Sequence, residues 1–135
     1  MNCGAIMLFG MPIPFRQMYR QGDIVRATFP FSDLSNVKIR PVLVLSNNSY
    51  NNISEDILVA AVTTNLTDRI HAIPISQNEL SEGLLPKKSC IRADKLAALS
   101  KKLVIHKIAS VKSEILQQCK DEAIHLITGE EKNNK

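Results

Sequence analysis

Three stretches of the sequence have the hydrophobic pattern of β-strands: GDIVRATF at residues 22–29, IRPVLVLS at 39–46 and DILVAAVT at 56–63. In the first, Val25, Ala27 and Phe29 alternate with the polar residues Arg26 and Thr28, which is the period of a strand buried on one face. The other two are nearly unbroken apolar runs, a pattern typical of strands covered on both faces. The sequence therefore predicts three strands, at residues 24–29, 42–45 and 56–62.

The rest of the chain predicts further strands and one helix. Strands are expected at residues 70–75, 89–94 and 104–109, and loops at 30–39, 46–55 and 79–86. Near the C-terminus one apolar stripe has helical spacing: Ile115, Leu116, Cys119, Ala123, Leu126 and Ile127. Ser113 is the predicted N-cap of this helix and Gly129 its stop signal. Short strands joined mostly by loops, with one helix at the end, predict a small barrel-like α+β domain that is mainly β.

The two ends of the chain differ from this domain. Residues 1–17 are apolar, interrupted by glycine and proline, and uncharged until Arg16. They lack the basic residues that precede the apolar core of a signal peptide. We expect a disordered extension at 1–17, or a start codon placed too far upstream with Met18 as the true start. The predicted domain then covers 18–128, and 129–135 form a polar tail.

Composition excludes several classes of protein. The chain has 135 residues, of which 44% are hydrophobic and 22% charged, a balance that suits one globular core and not a disordered or fibrous chain. Its apolar runs are far shorter than the ~18 residues of a membrane span, so no membrane contact is expected. Cys3, Cys90 and Cys119 form no CxxC pair, and the three histidines lack metal-binding spacing. We therefore expect no metal and no other cofactor.

Basic residues are concentrated in one part of the chain. Between Leu84 and Ile108 there are seven basic residues and one acid, a net charge of +6, whereas the whole chain carries +4. Such a segment is compatible with a polyanionic partner, although a solvated lysine-rich surface is the ordinary explanation. All aromatic residues lie at or before Tyr50, so the basic segment offers no platform for stacking bases.

A few polar residues border the apolar runs at places where chemistry is possible. Pro41 belongs at a strand start or edge and fixes the preceding Arg40 in extended backbone. Thr63 follows the third apolar run, and Arg92 and Asp94 are two apart on a predicted strand and so share a face. Each also has an ordinary structural explanation: a surface arginine, a strand-end hydroxyl or an ion pair of small net value.

Four blocks of the chain together resemble a known family. GDIVRATFPFSD (22–33), KIRPVLVLSNNSYN (38–51), DILVAAVTTN (56–65) and CIRADKLAAL (90–99) are similar, in order and spacing, to the PemK/MazF toxin endoribonucleases. The resemblance covers roughly residues 22–127. It implies an SH3-like (MazF/CcdB-like) barrel and the toxin of a bacterial toxin–antitoxin pair. It also implies a cytoplasmic homodimer that binds a cognate antitoxin and cleaves single-stranded RNA without a metal.

The resemblance also implies roles for individual residues. Arg40 matches the catalytic arginine of the family's Arg-Pro motif, and Thr63 matches its active-site hydroxyl. Arg92 and Asp94 match an arginine and aspartate that some members use as acid and base. Many members carry a glutamate five residues before the arginine, where this chain has Ser35. The general base is therefore Asp94 or the nearest loop acid, Asp33, with Asp94 the better candidate.

The sequence also suggests which residues bind the RNA, and it leaves two alternative functions open. Six residues are candidates for binding the RNA strand: Arg26, Lys38, Thr64, Arg69, Lys87 and Lys88. A CcdB-like toxin that poisons DNA gyrase has the same fold, but it uses a hydrophobic C-terminus and the tail here is polar. A non-catalytic module that binds nucleic acid or an antitoxin is the third possibility.

Overall fold

The computed structural model describes residues 18–29, 38–66 and 70–129. The predicted extension at 1–17, most of the predicted loop at 30–39 and residues 130–135 of the predicted tail lie outside this part. The described residues form seven strands: β1 (Asp23–Phe29), β2 (Lys38–Val44), β3 (Asp56–Thr63), β4 (Ala72–Ile75), β5 (Leu80–Gly83), β6 (Ser89–Ser100) and β7 (Val104–Val111). They also form two α-helices, α1 (Asn48–Ile53) and α2 (Ser113–Thr128), and 3-10 turns at Gln77–Glu79 and Lys101–Leu103.

The strands form one antiparallel sheet that curls on itself. Its order is β4-β6-β3-β2-β1-β7-β5, so the strands at its two edges are consecutive in the chain. Residues 76–79 join them, so the end of β4 and the start of β5 are five Cα–Cα steps apart and span at most about 18 Å. The edges of a flat seven-stranded sheet would be about 29 Å apart. The sheet must therefore curl into a barrel-like shape, which confirms the predicted mainly β fold with a C-terminal helix.

Apolar side chains fill both faces of this curled sheet. A first core cluster combines residues of β1, β2, β3 and β6 with Ile115 and Cys119 of α2. A second cluster, on the other face, includes Val25, Val42 and Val59. The predicted alternation in β1 therefore holds only in part: Arg26 is exposed as expected, but Ile24 is as fully buried as Val25 because it belongs to the first cluster.

Two predicted loops contain regular structure. Residues 46–55 include helix α1, whose N-terminus is capped by Asn47 through the backbone N–H of Tyr50. Residues 79–86 include the edge strand β5, which pairs with β7. Both elements are short and polar, so their periodicity was too weak to predict them. The predicted strand at 89–94 is also too short, because β6 continues to Ser100 along β3.

The ends of two other elements differ slightly from expectation. Strand β2 begins at Lys38, so Pro41 lies within it, but pairing with β3 begins only at Val42. The missing N–H of Pro41 therefore removes no hydrogen bond on that side. The N-cap of α2 is Lys112, which makes no side-chain capping bond, and not Ser113. Gly129 ends the helix as predicted, in the left-handed conformation that glycine adopts without strain (φ 74°).

A buried amide anchors α1 to the sheet. Asn51 is fully buried, and its Nδ2 donates to the carbonyl of Ser46 at 2.9 Å. The hydroxyl of Ser46 donates in turn to Asn51 Oδ1 and accepts from the backbone N–H of Leu58 on β3 at 3.0 Å. These bonds satisfy buried polar groups that would otherwise be strongly destabilising.

Candidate active site

The four residues predicted to be catalytic lie on three adjacent strands. Arg40 is on β2, Thr63 is the last residue of β3, and Arg92 and Asp94 are on β6. The sheet order places β3 between β2 and β6. The fold therefore brings together residues that are up to 54 positions apart in the chain.

The strand register places these residues on one face of the sheet. Val42 is opposite Ala61, and Ala61 is opposite Arg92, so these three form one row across the strands. Continuing the β2–β3 register by two residues places Arg40 opposite Thr63 in the next row. Strands are about 4.8 Å apart and alternate residues about 6.8 Å apart. Two guanidinium groups and a hydroxyl are thus carried on the same face of three neighbouring strands, in two adjacent rows.

Arg92 and Asp94 form a two-point ion pair. Arg92 Nε donates to Asp94 Oδ1 at 3.1 Å, and a terminal guanidinium nitrogen donates to Oδ2 at 2.9 Å. The hydrogen bonds from Arg92 lower the pKa of Asp94, and a smaller electrostatic contribution from His71 lowers it further. The same pair raises the pKa of Arg92. Both side chains are only partly shielded from solvent, with exposed fractions of 23% and 34%, so a ligand can reach the charged groups.

A wide bulge in β6 carries Asp94. Ala60 is opposite Leu96, but the next residue, Ala61, is opposite Arg92, so Ala93, Asp94 and Lys95 lie between two consecutive rungs. Bulges bend a strand and re-aim its side chains. This one leaves Asp94 exposed while the neighbouring Ala93 is fully buried. Nothing in the sequence indicates this irregularity.

Thr63 and Arg40 complete the row nearest the strand ends. Thr63 Oγ1 accepts a hydrogen bond from the backbone N–H of Asn65 at 3.1 Å. Because that bond uses an acceptor site, the hydroxyl proton of Thr63 can still be donated to a phosphate oxygen. Arg40 lies opposite Ala27 of β1 and is half-buried, with its Nε atom completely shielded from solvent. Such shielding restricts the guanidinium to fewer orientations.

The predicted RNA-binding residues are divided between the two faces of the sheet. Lys38 is exposed and lies two residues before Arg40, so it shares the face of the four predicted catalytic residues. Arg26 is also exposed, but it alternates with Ala27 and therefore points from the opposite face. The fold does not bring Arg26 together with Arg40.

The remaining predicted RNA-binding residues lie in loops. Thr64 is exposed directly after Thr63, and Lys87 and Lys88 are exposed just before β6 begins at Ser89. These three residues lie near the ends of the strands that carry the site. Arg69 and Asp33 lie outside the described residues.

Sequence reasoning missed a hydrogen-bonded carboxylate–imidazole pair beside this site. Glu122 of α2 is 7% exposed, and its Oε2 lies 2.6 Å from Nδ1 of His71, just before β4. The sequence did contain a signal, because position 122 falls three residues after Cys119 on the apolar stripe of the helix. A carboxylate there must find a partner.

The described part of the chain contains no group of three or more histidine, cysteine or acidic residues arranged to hold a metal ion. None of its helices has the length and apolar character needed to span a membrane. Cys90 and Cys119 are buried free thiols, and burial raises the pKa of Cys119 to about 12.

Comparison with known proteins gives one family and a consistent set of folds. Residues 20–127 match the family of PemK-like, MazF-like toxins of type II toxin–antitoxin systems. A MazF crystal structure from Deinococcus radiodurans has a TM-score of 0.69 at 18% identity, covering 82% of this chain and 97% of that one. An endoribonuclease from a mycobacterial species has a TM-score of 0.66 at 18% identity, covering 84% and 94%. Another, in complex with its cognate antitoxin, has a TM-score of 0.66 at 16% identity, covering 81% and 94%.

Proposed function

This chain belongs to the PemK-like, MazF-like toxins of type II toxin–antitoxin systems, and we propose that it is an endoribonuclease that cleaves single-stranded RNA at specific sequences without a metal ion. Arg40, Thr63, Arg92 and Asp94 form its active site. Solved structures of the same fold are described as endoribonucleases, which supports this activity.

One observation carries the proposal. Two arginines, a threonine hydroxyl and an ionised carboxylate project from one face of three adjacent strands, although they come from separate parts of the chain. Two cations close together repel each other, so their position on either side of a hydroxyl is better explained by an anionic ligand than by an ordinary surface. Guanidinium groups bind phosphate through two parallel hydrogen bonds, and the collected groups therefore suit a phosphodiester.

The reaction uses a nucleophile that RNA itself supplies. The 2′-oxygen attacks the adjacent phosphorus while Asp94 accepts its proton. The bond from phosphorus to the 5′-oxygen breaks, that oxygen takes a proton from water, and the hydroxide left behind is neutralised by the proton that Asp94 gives back, which restores the carboxylate. The products carry a 2′,3′-cyclic phosphate and a 5′-hydroxyl. Because no external nucleophile must be generated, a metal-bound hydroxide is unnecessary in this scheme.

When RNA binds, the guanidinium of Arg92 leaves Asp94 and binds a phosphate of the RNA. In the free protein Arg92 holds the pKa of Asp94 low, which makes the carboxylate a weak base. A phosphate competes for the same guanidinium. When Arg92 turns to the phosphate, Asp94 loses its hydrogen bonds and its pKa rises towards the ordinary range. Substrate binding therefore strengthens the base at the moment it is needed.

Arg40 and Thr63 stabilise the charge that develops on the phosphoryl oxygens. The pKa of a guanidinium is too high for it to give up its proton, so electrostatic stabilisation is the role of Arg40. The hydroxyl of Thr63 donates to another phosphoryl oxygen and orients the group. Lys38, Thr64, Arg69, Lys87 and Lys88 guide the flanking strand through its phosphates.

The toxin acts as a homodimer and is neutralised by an acidic antitoxin in the bacterial cytoplasm. The basic segment between Leu84 and Ile108 provides the attraction, because a disordered acidic chain can cover such a surface and repel RNA. A solved endoribonuclease of this fold is described as bound to its cognate antitoxin. The proposal predicts a progressive loss of RNA cleavage as the product of the adjacent reading frame is added. Full activity at saturating amounts of that product would contradict neutralisation.

The decisive experiment is RNA cleavage in the presence of excess EDTA. A long single-stranded RNA should be cut at a few positions, and a short oligonucleotide spanning one of them should yield a 2′,3′-cyclic phosphate end. The matched oligonucleotide with a single 2′-deoxy group on the 5′ side of the scissile phosphate should not be cut. Cleavage of that deoxy oligonucleotide would reject the mechanism, and absence of any cleavage would favour a gyrase poison or a binding module.

A further inference from the structure

A hydrogen bond between a carboxylate and an imidazole connects helix α2 to the start of β4, the strand that pairs with β6. Glu122 of α2 is almost completely buried, and its Oε2 lies 2.6 Å from Nδ1 of His71. The imidazole of His71 is 31% exposed, so only one side of the pair faces water. The pair is 51 residues apart in sequence and joins the helix to the start of β4.

The same histidine holds the bulge of β6 through its backbone. The carbonyl of His71 accepts a hydrogen bond from the N–H of Ala93 at 3.1 Å. Ala93 is the bulge residue between Arg92 and Asp94, and it lies outside the ladder with β3. Pairing between β4 and β6 extends only as far as Ala72 opposite Arg92. The hydrogen bond to His71 therefore continues the pairing of β4 with β6 by one residue, into the β6 bulge.

His71 also has an electrostatic effect on the site. It contributes to the low pKa of Asp94, in addition to the larger effect of Arg92. Glu122, His71, Ala93 and Asp94 thus form a continuous series: a buried carboxylate, an imidazole, a backbone hydrogen bond and the exposed carboxylate of the site.

We infer that Glu122 and His71 are positioning residues that fix the β6 bulge and so set the orientation of Asp94 towards Arg92. The inference rests on the proposed function for its effect on RNA cleavage, but the geometry it describes exists in the free protein. Neither residue needs to touch RNA. Their role is to hold Asp94 where its oxygens meet both donors of Arg92.

A purely structural role explains Glu122 less well. It lies on the apolar stripe of α2, between Cys119 and Ala123, where a hydrophobic side chain would pack without desolvating a charge. Replacing a buried ion pair by well-packed apolar residues is often neutral or stabilising. A carboxylate at this position is better explained by the orientation of its partner than by stability of the helix.

The test compares Glu122→Ala with Asp121→Ala in the full chain. Asp121 is the adjacent acid of α2, is exposed, and bonds only to Gln117 among the described contacts, so it controls for the loss of one helix carboxylate. Glu122→Gln is the milder variant, since its amide oxygen can still accept from His71. Circular dichroism confirms that each variant is folded, and kcat and KM are measured on the short RNA oligonucleotide.

We expect Glu122→Ala to lower kcat roughly 10- to 100-fold, the scale of loss for a displaced catalytic group, with little change in KM. Glu122→Gln should retain part of the lost rate, and Asp121→Ala should behave as the wild type. In an Asp94→Asn background the effect of Glu122→Ala should disappear, because the group it positions is already absent. Equal effects in both backgrounds, or an unchanged kcat in the wild-type background, would overturn the inference.

A second measurement separates this inference from the proposed function. The Nε–H of Arg92 and the backbone N–H of Ala93 each give an NMR resonance whose position depends on its hydrogen bond. Both should shift in Glu122→Ala and not in Asp121→Ala. If the wild type does not cut RNA, the proposed function is wrong, while these resonances still decide the positioning role; unshifted resonances would reject it.

Discussion

Asp94 accepts both hydrogen bonds that Arg92 offers along one edge of its guanidinium, at 3.1 Å from Nε and 2.9 Å from a terminal nitrogen. The two residues are separated only by Ala93, and the bulge lets their side chains meet side by side. The pair holds these two charged groups in a fixed arrangement. A phosphate that enters must compete with Asp94 for the guanidinium, so binding and activation of the base are coupled.

The low pKa of Asp94 predicts the acid limb of the pH profile. The base acts when deprotonated, and Arg92 holds its pKa below the ordinary value of 3.8. The pH dependence of kcat/KM reports groups of the free enzyme. We therefore expect kcat/KM to fall, as Asp94 becomes protonated, only when the pH drops below 3.8. Arg92→Ala should move this acid limb to higher pH. The measurement is kcat/KM from neutral pH down to the onset of acid unfolding, which circular dichroism locates; an unmoved limb in Arg92→Ala would rule out Asp94 as the base.

The same pair has a predictable effect on stability. A lowered pKa in the folded state means that the ion pair favours folding above the unfolded pKa, and that this contribution is lost as the pH falls through the folded value. Because both groups are partly exposed, the effect is small. Thermal unfolding of Asp94→Asn should therefore be close to that of the wild type at neutral pH. The rate of RNA cleavage should fall far more than RNA affinity does, since a base acts only in the reaction. A large drop in Tm would instead indicate a structural role.

The sequence, read together with the family resemblance, predicted which four residues the fold places on one face of the sheet; that these residues form the active site stays a prediction. Arg40 and Thr63 stand at the boundaries of apolar runs, and the spacing of Arg92 and Asp94 requires a common face in any strand. Resemblance to a family then supplied roles. The mainly β fold with a C-terminal helix was predicted from the apolar runs of the strands and the apolar stripe of the helix. These segments bury most of the apolar surface, and that burial is the main force that favours folding.

The features of the structure that the sequence did not predict depend on tertiary contacts. Strand β5 has one buried residue, Leu80, and forms because β7 offers it an edge. The bulge at Ala93 has no sequence signal, because it reflects how β6 meets β4 and β3 at once. The placement of Arg26 on the other face could have been predicted by alternation from Ala27, but only once the face of Arg40 was known.

Anchoring of α1 predicts a large effect for one asparagine. Asn51 is fully buried, and its amide bonds both the carbonyl and the hydroxyl of Ser46. Asn51→Ala leaves these groups without partners, so we expect the free energy of unfolding to fall by roughly 2–3 kcal/mol. Asn52→Ala is the matched control, because Asn52 is exposed on the same helix. Urea unfolding of both variants gives the comparison, and equal stabilities would refute the anchoring role.

Lysines of the basic segment should affect binding and not chemistry. Lys87 is exposed near the strand ends of the site, and a phosphate contact would release a counterion. Lys87→Ala should therefore weaken RNA binding and reduce the slope of log affinity against log salt by about one, with kcat unchanged. Lys112→Ala removes an exposed lysine at the start of α2 and should leave the slope as it is. Identical slopes in both variants would show that Lys87 does not contact the RNA.

Arg40 gives the most specific prediction, because its role depends on the shape of its side chain. It is half-buried with a shielded Nε, so its planar group approaches the phosphate in few orientations. A lysine supplies the charge but only a point donor. Arg40→Lys should therefore lose nearly as much as Arg40→Ala, about 10²–10³ in kcat, or roughly 3–4 kcal/mol of transition-state stabilisation. Arg26→Ala, on the adjacent strand and the opposite face, is the matched control and should keep its kcat. Single-turnover cleavage of the short oligonucleotide in EDTA measures all three; a wild-type rate in Arg40→Ala would mean that this face of the sheet is not where RNA is cut.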